Sequence, residues 1–93
     1  MTTFEKIYKI VSSIPKGSVM TYKQVADIVD TTPRVVGFAL HANKDPKNIP
    51  CHRVIKSNGI LAKGYAFGGK QKQKETLEKE GVIFYKQKIT QAL

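Results

Sequence analysis

A chain of 93 residues, 41% of them hydrophobic, is one modest domain: too apolar for a disordered tail and too short for two cores. Sixteen Lys plus Arg against seven acids leave a net charge of +9, a field that favours a polyanion such as nucleic acid, with a merely solvated lysine-rich surface as the plain alternative. The single cysteine excludes an intramolecular disulfide and a multi-cysteine metal site. With no apolar run of signal-peptide or membrane-span length, a reduced intracellular setting is expected, cytoplasmic, or nuclear in a eukaryote.

The first helix is marked by the capping-box spacing of Thr2 and Glu5, and Phe4, Ile7, Tyr8 and Val11 fall on one face. Pro15 and Gly17 end it near Ser13. After a short extended link at Ser18-Val19-Met20, Thr21 caps a second helix with Gln24 three residues on. Tyr22, in the first turn of that helix, either points outward past the cap or packs on the first helix. Thr32 followed by Pro33 starts a third helix, which runs through Arg34, Gly37, Phe38 and Ala39 to about Asn43. Two short helices joined by a tight turn make a helix-turn-helix, in which the N-terminal residues of the second helix usually reach nucleic acid. Arg34 stands there, although a cation at a helix N-terminus costs a few tenths of a kcal/mol. Gly37 and Ala39 are small and would let this helix approach another surface closely.

A polar loop leads to Ile49-Pro50-Cys51-His52-Arg53-Val54, which holds the only cysteine. A free thiol has a pKa of about 8.5, and a neighbouring imidazole can take its proton directly or through one water, leaving a strong nucleophile. The plain alternative is a small buried hydrophobe. Arg53-Val54-Ile55 and Ile60-Leu61 flank Lys56-Ser57-Asn58-Gly59, whose Asn-Gly is a strong hairpin signal, and a hairpin after a helix-turn-helix is a wing. Lys56 and Lys63 would give it positive charge. Gly64 to Gly69 is a glycine-rich loop with two aromatics but without phosphate-loop spacing; it reads as a pocket wall in which Tyr65 or Phe67 could stack on a flat ligand. A polar helix follows from about Gln71 to Glu80, with Leu77 its only large apolar residue, then a short strand at Val82-Ile83-Phe84 and a mobile basic tail from Lys86. The expected fold is mostly α with a small β-hairpin: a winged helix-turn-helix, built on a three-helix bundle, that binds DNA.

A basic winged helix-turn-helix with Ile-Pro-Cys-His-Arg-Val after its recognition helix resembles the C-terminal domain of O6-alkylguanine-DNA alkyltransferases. The resemblance runs from Phe4 to about Phe84 and includes Gly17 to Tyr22, Arg34-Val35-Val36-Gly37, Asn43, Pro50 to Val54 and Leu77 to Gly81. It implies that Cys51 accepts the alkyl group, that His52 is a water-mediated base oriented by Glu80, and that Asn43 braces the cysteine turn. It further implies DNA contacts from Thr21, Tyr22, Arg34, Gly37, Ala39, Asn43 and Arg53. In this scheme Tyr22 presses on the phosphate beside the target, and Arg34 fills the gap left by a flipped guanine. Met20, Tyr65, Ala66, Phe67 and Gly68 would wall the base pocket. Transfer would need no cofactor and no metal, and each molecule would act once.

Typical alkyltransferases carry an additional N-terminal domain; this chain is expected to be one domain over residues 1–93 without it. The loop from Gly64 and the Gln/Lys-rich last helix look closer to the alkyltransferase-like proteins, which bind and flip O6-alkylguanine without transfer and usually have tryptophan at the cysteine position. Two functions therefore stand side by side: single-turnover transfer to Cys51, or lesion binding that flags the base for nucleotide-excision repair proteins. A third, a winged-helix transcription regulator, leaves Cys51-His52 without a task. The expected partner is double-stranded DNA carrying O6-alkylguanine, met by a monomer away from any membrane.

Overall fold

Reciprocal capping places the helices. Thr2 accepts from the Glu5 amide while the Glu5 carboxylate accepts from the Thr2 amide, opening α1 (Thr3–Ser12). Thr21 and Gln24 repeat the pair ahead of α2 (Tyr22–Val29). The Thr32 hydroxyl, with Pro33 at the first helical position, opens α3 (Pro33–His41). This computed structural model describes residues 1–61, 67–85 and 88–89. Between α2 and α3 the chain turns on Asp30, which takes the left-handed conformation at φ 58°; a short polar side chain tolerates this better than an apolar one. The turn lays α3 across α2 as a helix-turn-helix, with α1 packed on both.

Ile7 and Val11 of α1, Val25 and Ala26 of α2, and Val36, Ala39 and Leu40 of α3 form one buried core, with Cys51 and Val54 inside it. Each such aliphatic side chain contributes roughly 1.5–3 kcal/mol by leaving water. The Tyr8 hydroxyl donates to the Ala39 carbonyl at 2.6 Å and ties α1 to α3. A second core gathers Val19, Ile55, Leu61, Leu77, Val82 and Ile89. Leu77 belongs to α4 (Gly69–Lys79), which begins two residues before its expected start, behind Gly68 at φ 115°. A side chain at Gly68 would strike Lys72 at 2.7 Å as well as strain the backbone.

The strands differ from expectation in their partners. The tight turn at Asn58-Gly59 forms, with the Lys56 amide donating to the Ile60 carbonyl at 3.1 Å. Yet β2 (Val54–Ile55) takes its ladder from β1 (Met20–Thr21), in parallel, with Met20 opposite Val54 and Thr21 opposite Ile55. Val54 and Ile55 are both fully buried, and a strand covered on both faces suits a parallel, interior pairing. The antiparallel hairpin lies further on, between β3 (Phe84–Tyr85) and β4 (Lys88–Ile89). The expected strand at Val82 to Phe84 thus starts later, and Lys88–Ile89 of the expected mobile tail is folded back. The reason is apolar: Ile89 is buried in the second core, and its amide donates to the Gly59 carbonyl at 3.1 Å.

Candidate functional site

The N-terminal turns of α2 and α3 face a cleft of about 490 Å³ lined by Tyr22, Pro33, Arg34, Gly37, His41, Lys56 and Ser57. Arg34, Gly37 and His41 are spaced along one side of α3, while Lys56 and Ser57 come from the turn after β2. Arg34 is exposed, and its guanidinium lies 5.6 Å from the ring centre of Phe38, one helical turn on. Phe38 is itself 57% exposed. Gly37 has open space where a side chain would begin. The cleft is therefore cationic, with an apolar shoulder on the helix that the sequence marks for recognition.

Behind Tyr22 lies the cysteine turn. Pro50 enters it, and Cys51–Arg53 form a single 3₁₀ turn leading into β2. Asn43, itself buried, holds the approach: its side-chain amide donates to the Ile49 carbonyl at 2.9 Å, and its oxygen accepts from the Asp45 amide at 2.9 Å. His52 Nε2 meets Glu80 Oε1 at 3.0 Å. Arg53 grips the same carboxylate with two nitrogens, at 3.0 and 2.6 Å, and donates a third bond to the Ile14 carbonyl at 2.8 Å. Glu80 is the C-cap of α4, so its carboxylate joins the end of that helix to the cysteine turn, and Arg53 carries the link on to Ile14, two residues beyond α1. Gly17 makes the approach possible: at φ 88°, a side chain there would meet the Glu80 carbonyl at 3.1 Å.

Burial and charge set the protonation states. Burial pushes the Cys51 thiol above its ordinary value, more than the Asn43 hydrogen bond and the turn's own amide pull it down. Burial also lowers His52, against the raising effect of Glu80 and helped slightly by Arg53. Burial alone would raise Glu80, but the hydrogen bonds and charges of Arg53 and His52 outweigh it and hold the carboxyl low. Tyr22 is raised, first by burial and then by the charge Cys51 would carry. The resting site thus holds a thiol, a neutral imidazole and a carboxylate. With Nε2 directed at Glu80, Nδ1 is the ring nitrogen left to accept a proton.

The expected site residues divide by location. Cys51, His52, Glu80 and Asn43 come together, and Tyr22, Arg34 and Gly37 line the cleft. Met20 and Phe67 pack against the core that holds Cys51, and Gly68 caps α4. Tyr65, Ala66 and Lys63 lie outside the described residues. Four of the residues expected at DNA have side chains engaged within the protein. Ala39 has no exposed surface because it fills the three-helix core; Thr21 is buried and uses its hydroxyl as the α2 cap; Asn43 spends its side chain on the loop; Arg53 is committed to Glu80 and Ile14. Lys56, expected to give the wing positive charge, lines the cleft; His41 and Ser57 were missed from the sequence, with only the helical spacing from Arg34 to His41 as a signal. Also missed was buried Gln73, which donates to the His52 and Val54 carbonyls. Among the described residues no group of three or more His, Cys, Asp or Glu is placed to hold a metal ion, and no helix is long and apolar enough to cross a membrane.

The chain is similar to known proteins along most of its length. Residues 2–82 match the family described as 6-O-methylguanine DNA methyltransferase, DNA binding domain. A methylated-DNA–protein-cysteine methyltransferase of Saccharolobus islandicus (strain L.S.2.15 / Lassen #1) is 54% identical over 76 residues, covering 82% of this chain and 48% of that protein. The chain thus spans about half the length of that relative. S. pombe Atl1, solved in complex with damaged DNA containing O6-carboxymethylguanine, aligns at TM-score 0.80 and 39% identity over 89% of this chain and 79% of its own. O6-methylguanine-DNA methyltransferase from the hyperthermophilic archaeon Pyrococcus kodakaraensis strain KOD1 aligns at TM-score 0.77 and 37% identity, over 88% and 47% respectively. The helix-turn-helix, the cysteine turn and these likenesses agree: the chain belongs to the 6-O-methylguanine DNA methyltransferase DNA-binding domain family.

Proposed function

We propose that this domain binds double-stranded DNA, turns an O6-alkylguanine out of the stack and transfers the alkyl group to Cys51. The observation that carries the proposal is the Glu80–His52 pair, with His52 in the same 3₁₀ turn as Cys51, next to a cationic cleft that Tyr22 lines. A guanine within a duplex hides its O6 from any side chain, so the nucleotide must leave the stack at a cost of a few kcal/mol. Arg34, exposed at the start of α3, would occupy the gap. Cys51 Sγ then attacks the alkyl carbon as the carbon–O6 bond breaks. The S–C bond replaces it, the broken bond's electron pair stays on O6, and the thiol proton, taken up by His52 Nδ1 through a water, is balanced by one delivered to the guanine. The products are guanine and S-alkylcysteine. Because the thiol rests protonated, a base is needed at the moment of attack, and a neutral His52 polarised by Glu80 supplies it.

Lesion binding without transfer is the second proposal, favoured by the burial that disfavours thiolate and by the likeness to Atl1 over most of both chains. One experiment separates the two: intact mass of the protein after incubation with a duplex containing one O6-methylguanine. A gain of one methylene, absent in Cys51→Ala, supports transfer. No gain, with tight binding that Cys51→Ala retains, supports lesion binding. Strong discrimination among undamaged sequences would overturn both in favour of a transcription regulator.

A further inference from the structure

Gln73 is 2% exposed, in the middle of a helix that is otherwise strongly polar. Its Nε2 donates to the carbonyl of His52 at 2.9 Å and to that of Val54 at 3.2 Å. Those two carbonyls bracket Arg53, so one side chain spans the exit of the cysteine turn into β2. Along α4, Gln73, Leu77 and Glu80 are spaced by four and three residues and share one face. Leu77 is fully buried in the second core, and Glu80 holds the His52 and Arg53 side chains. One helix face therefore grips the turn twice: by backbone through Gln73 and by side chain through Glu80.

The Gln73 Oε1 is buried and has no hydrogen-bond partner among the described residues. A buried unpaired acceptor is destabilising, so glutamine is a poor choice if filling space is all the position requires. What glutamine supplies is a two-proton donor of fixed length. We propose that Gln73 is a positioning residue which sets the Cys51-His52 turn at the height on α4 where the His52 ring meets Glu80. It touches no reacting atom and acts through the backbone on either side of Arg53. The proposal rests on the proposed role of the Cys51-His52 pair, but its test needs no alkylated DNA.

The groups facing His52 are Glu80 and Arg53, with Cys51 adjacent in the turn. The experiment follows the two histidine rings by NMR across pH in the folded protein, with exposed His41 as internal reference. Three variants are compared: Gln73→Met, which keeps the length and loses the donors; Gln73→Asn, which keeps the amide one methylene short; and Val82→Ala, a control that loosens the second core two residues beyond Glu80 and leaves the Gln73 bonds in place. In both Gln73 variants the His52 midpoint is expected to move by at least about half a pH unit, and the ring signals to show mixed tautomers. His41 should not move, and Val82→Ala should leave both rings at wild-type values. A His52 titration in Gln73→Asn and in Gln73→Met that superimposes on wild type overturns the proposal. So does an equal shift in Val82→Ala, since general loosening would then explain it; if Gln73→Met does not fold, Gln73→Asn decides. Failure of the mass experiment above with these shifts intact would remove transfer and leave the positioning role standing.

Discussion

At the residue scale the site turns on one carboxylate serving two side chains, a neutral imidazole and a guanidinium. Glu80 orients His52 and at the same time neutralises Arg53, whose remaining bond ends on Ile14. Buried pairs of this kind add little net stability, yet removing one partner is costly, about 3–5 kcal/mol in the worst case. Glu80→Gln keeps the shape and part of the hydrogen bonding, so it should still fold, with stability lower by roughly 1–3 kcal/mol by denaturant titration. Under the transfer mechanism its single-turnover rate should fall on the order of a hundredfold, because an unoriented imidazole loses the general-base contribution. Affinity for the same duplex should hold. An unchanged rate would detach Glu80 from the chemistry and leave it a structural brace for Arg53.

At the element scale, α3 shows local physics set against itself. Arg34 sits on the positive end of the helix dipole, stacks on exposed Phe38 and has no carboxylate partner among the described residues. Its replacement by alanine removes an unfavourable dipole contact of a few tenths of a kcal/mol and an exposed cation–π contact of about 0.5–1 kcal/mol, which nearly offset each other. The Arg34→Ala melting temperature should therefore stay within about 3 °C of wild type. Its preference for O6-alkylguanine duplex over undamaged duplex should fall roughly tenfold, about 1.4 kcal/mol. A large drop in melting temperature with the preference retained would make Arg34 a scaffold residue.

At the scale of the whole molecule, Glu80, His52 and Cys51 are among the perturbed groups that set a pH window for stability. Glu80 is held below its ordinary 4.5, so its contribution is complete above that value and is lost as pH falls through the lowered one. His52 is held below 6.5: the folded state resists its protonation, and stability declines as pH falls from 6.5 towards the lowered value. Cys51 is raised above 9.0: the unfolded thiol ionises first, and stability declines as pH rises from 9.0 towards the raised value. Denaturant midpoints should accordingly form a plateau between about pH 6.5 and 9 and drop on both sides. In Cys51→Ala the alkaline drop should shrink and the acid drop remain.

What could be read from the chain and what could not separates by the range of the forces involved. Capping boxes, the Thr32-Pro33 start and the Asn58-Gly59 turn are satisfied within three or four residues, so local signals were enough to specify α1, α2, α3 and the tight turn. Cys51-His52, adjacent in the chain and unusual in composition, was equally visible, as was the basic charge that favours DNA. Pairings across the chain were beyond such signals. Nothing local tells Val54-Ile55 to take Met20–Thr21 as a parallel partner, or Ile89 to return to Gly59; both follow from where buried apolar surface finds cover. The same holds for Ala39 and Thr21, which are buried, and for Arg53, whose guanidinium is taken up by Glu80 and Ile14. Gln73 is the clearest case. In sequence it is one polar residue in a polar helix, and only the docking of α4, driven by Leu77 entering the second core, brings its amide against the turn that carries the thiol.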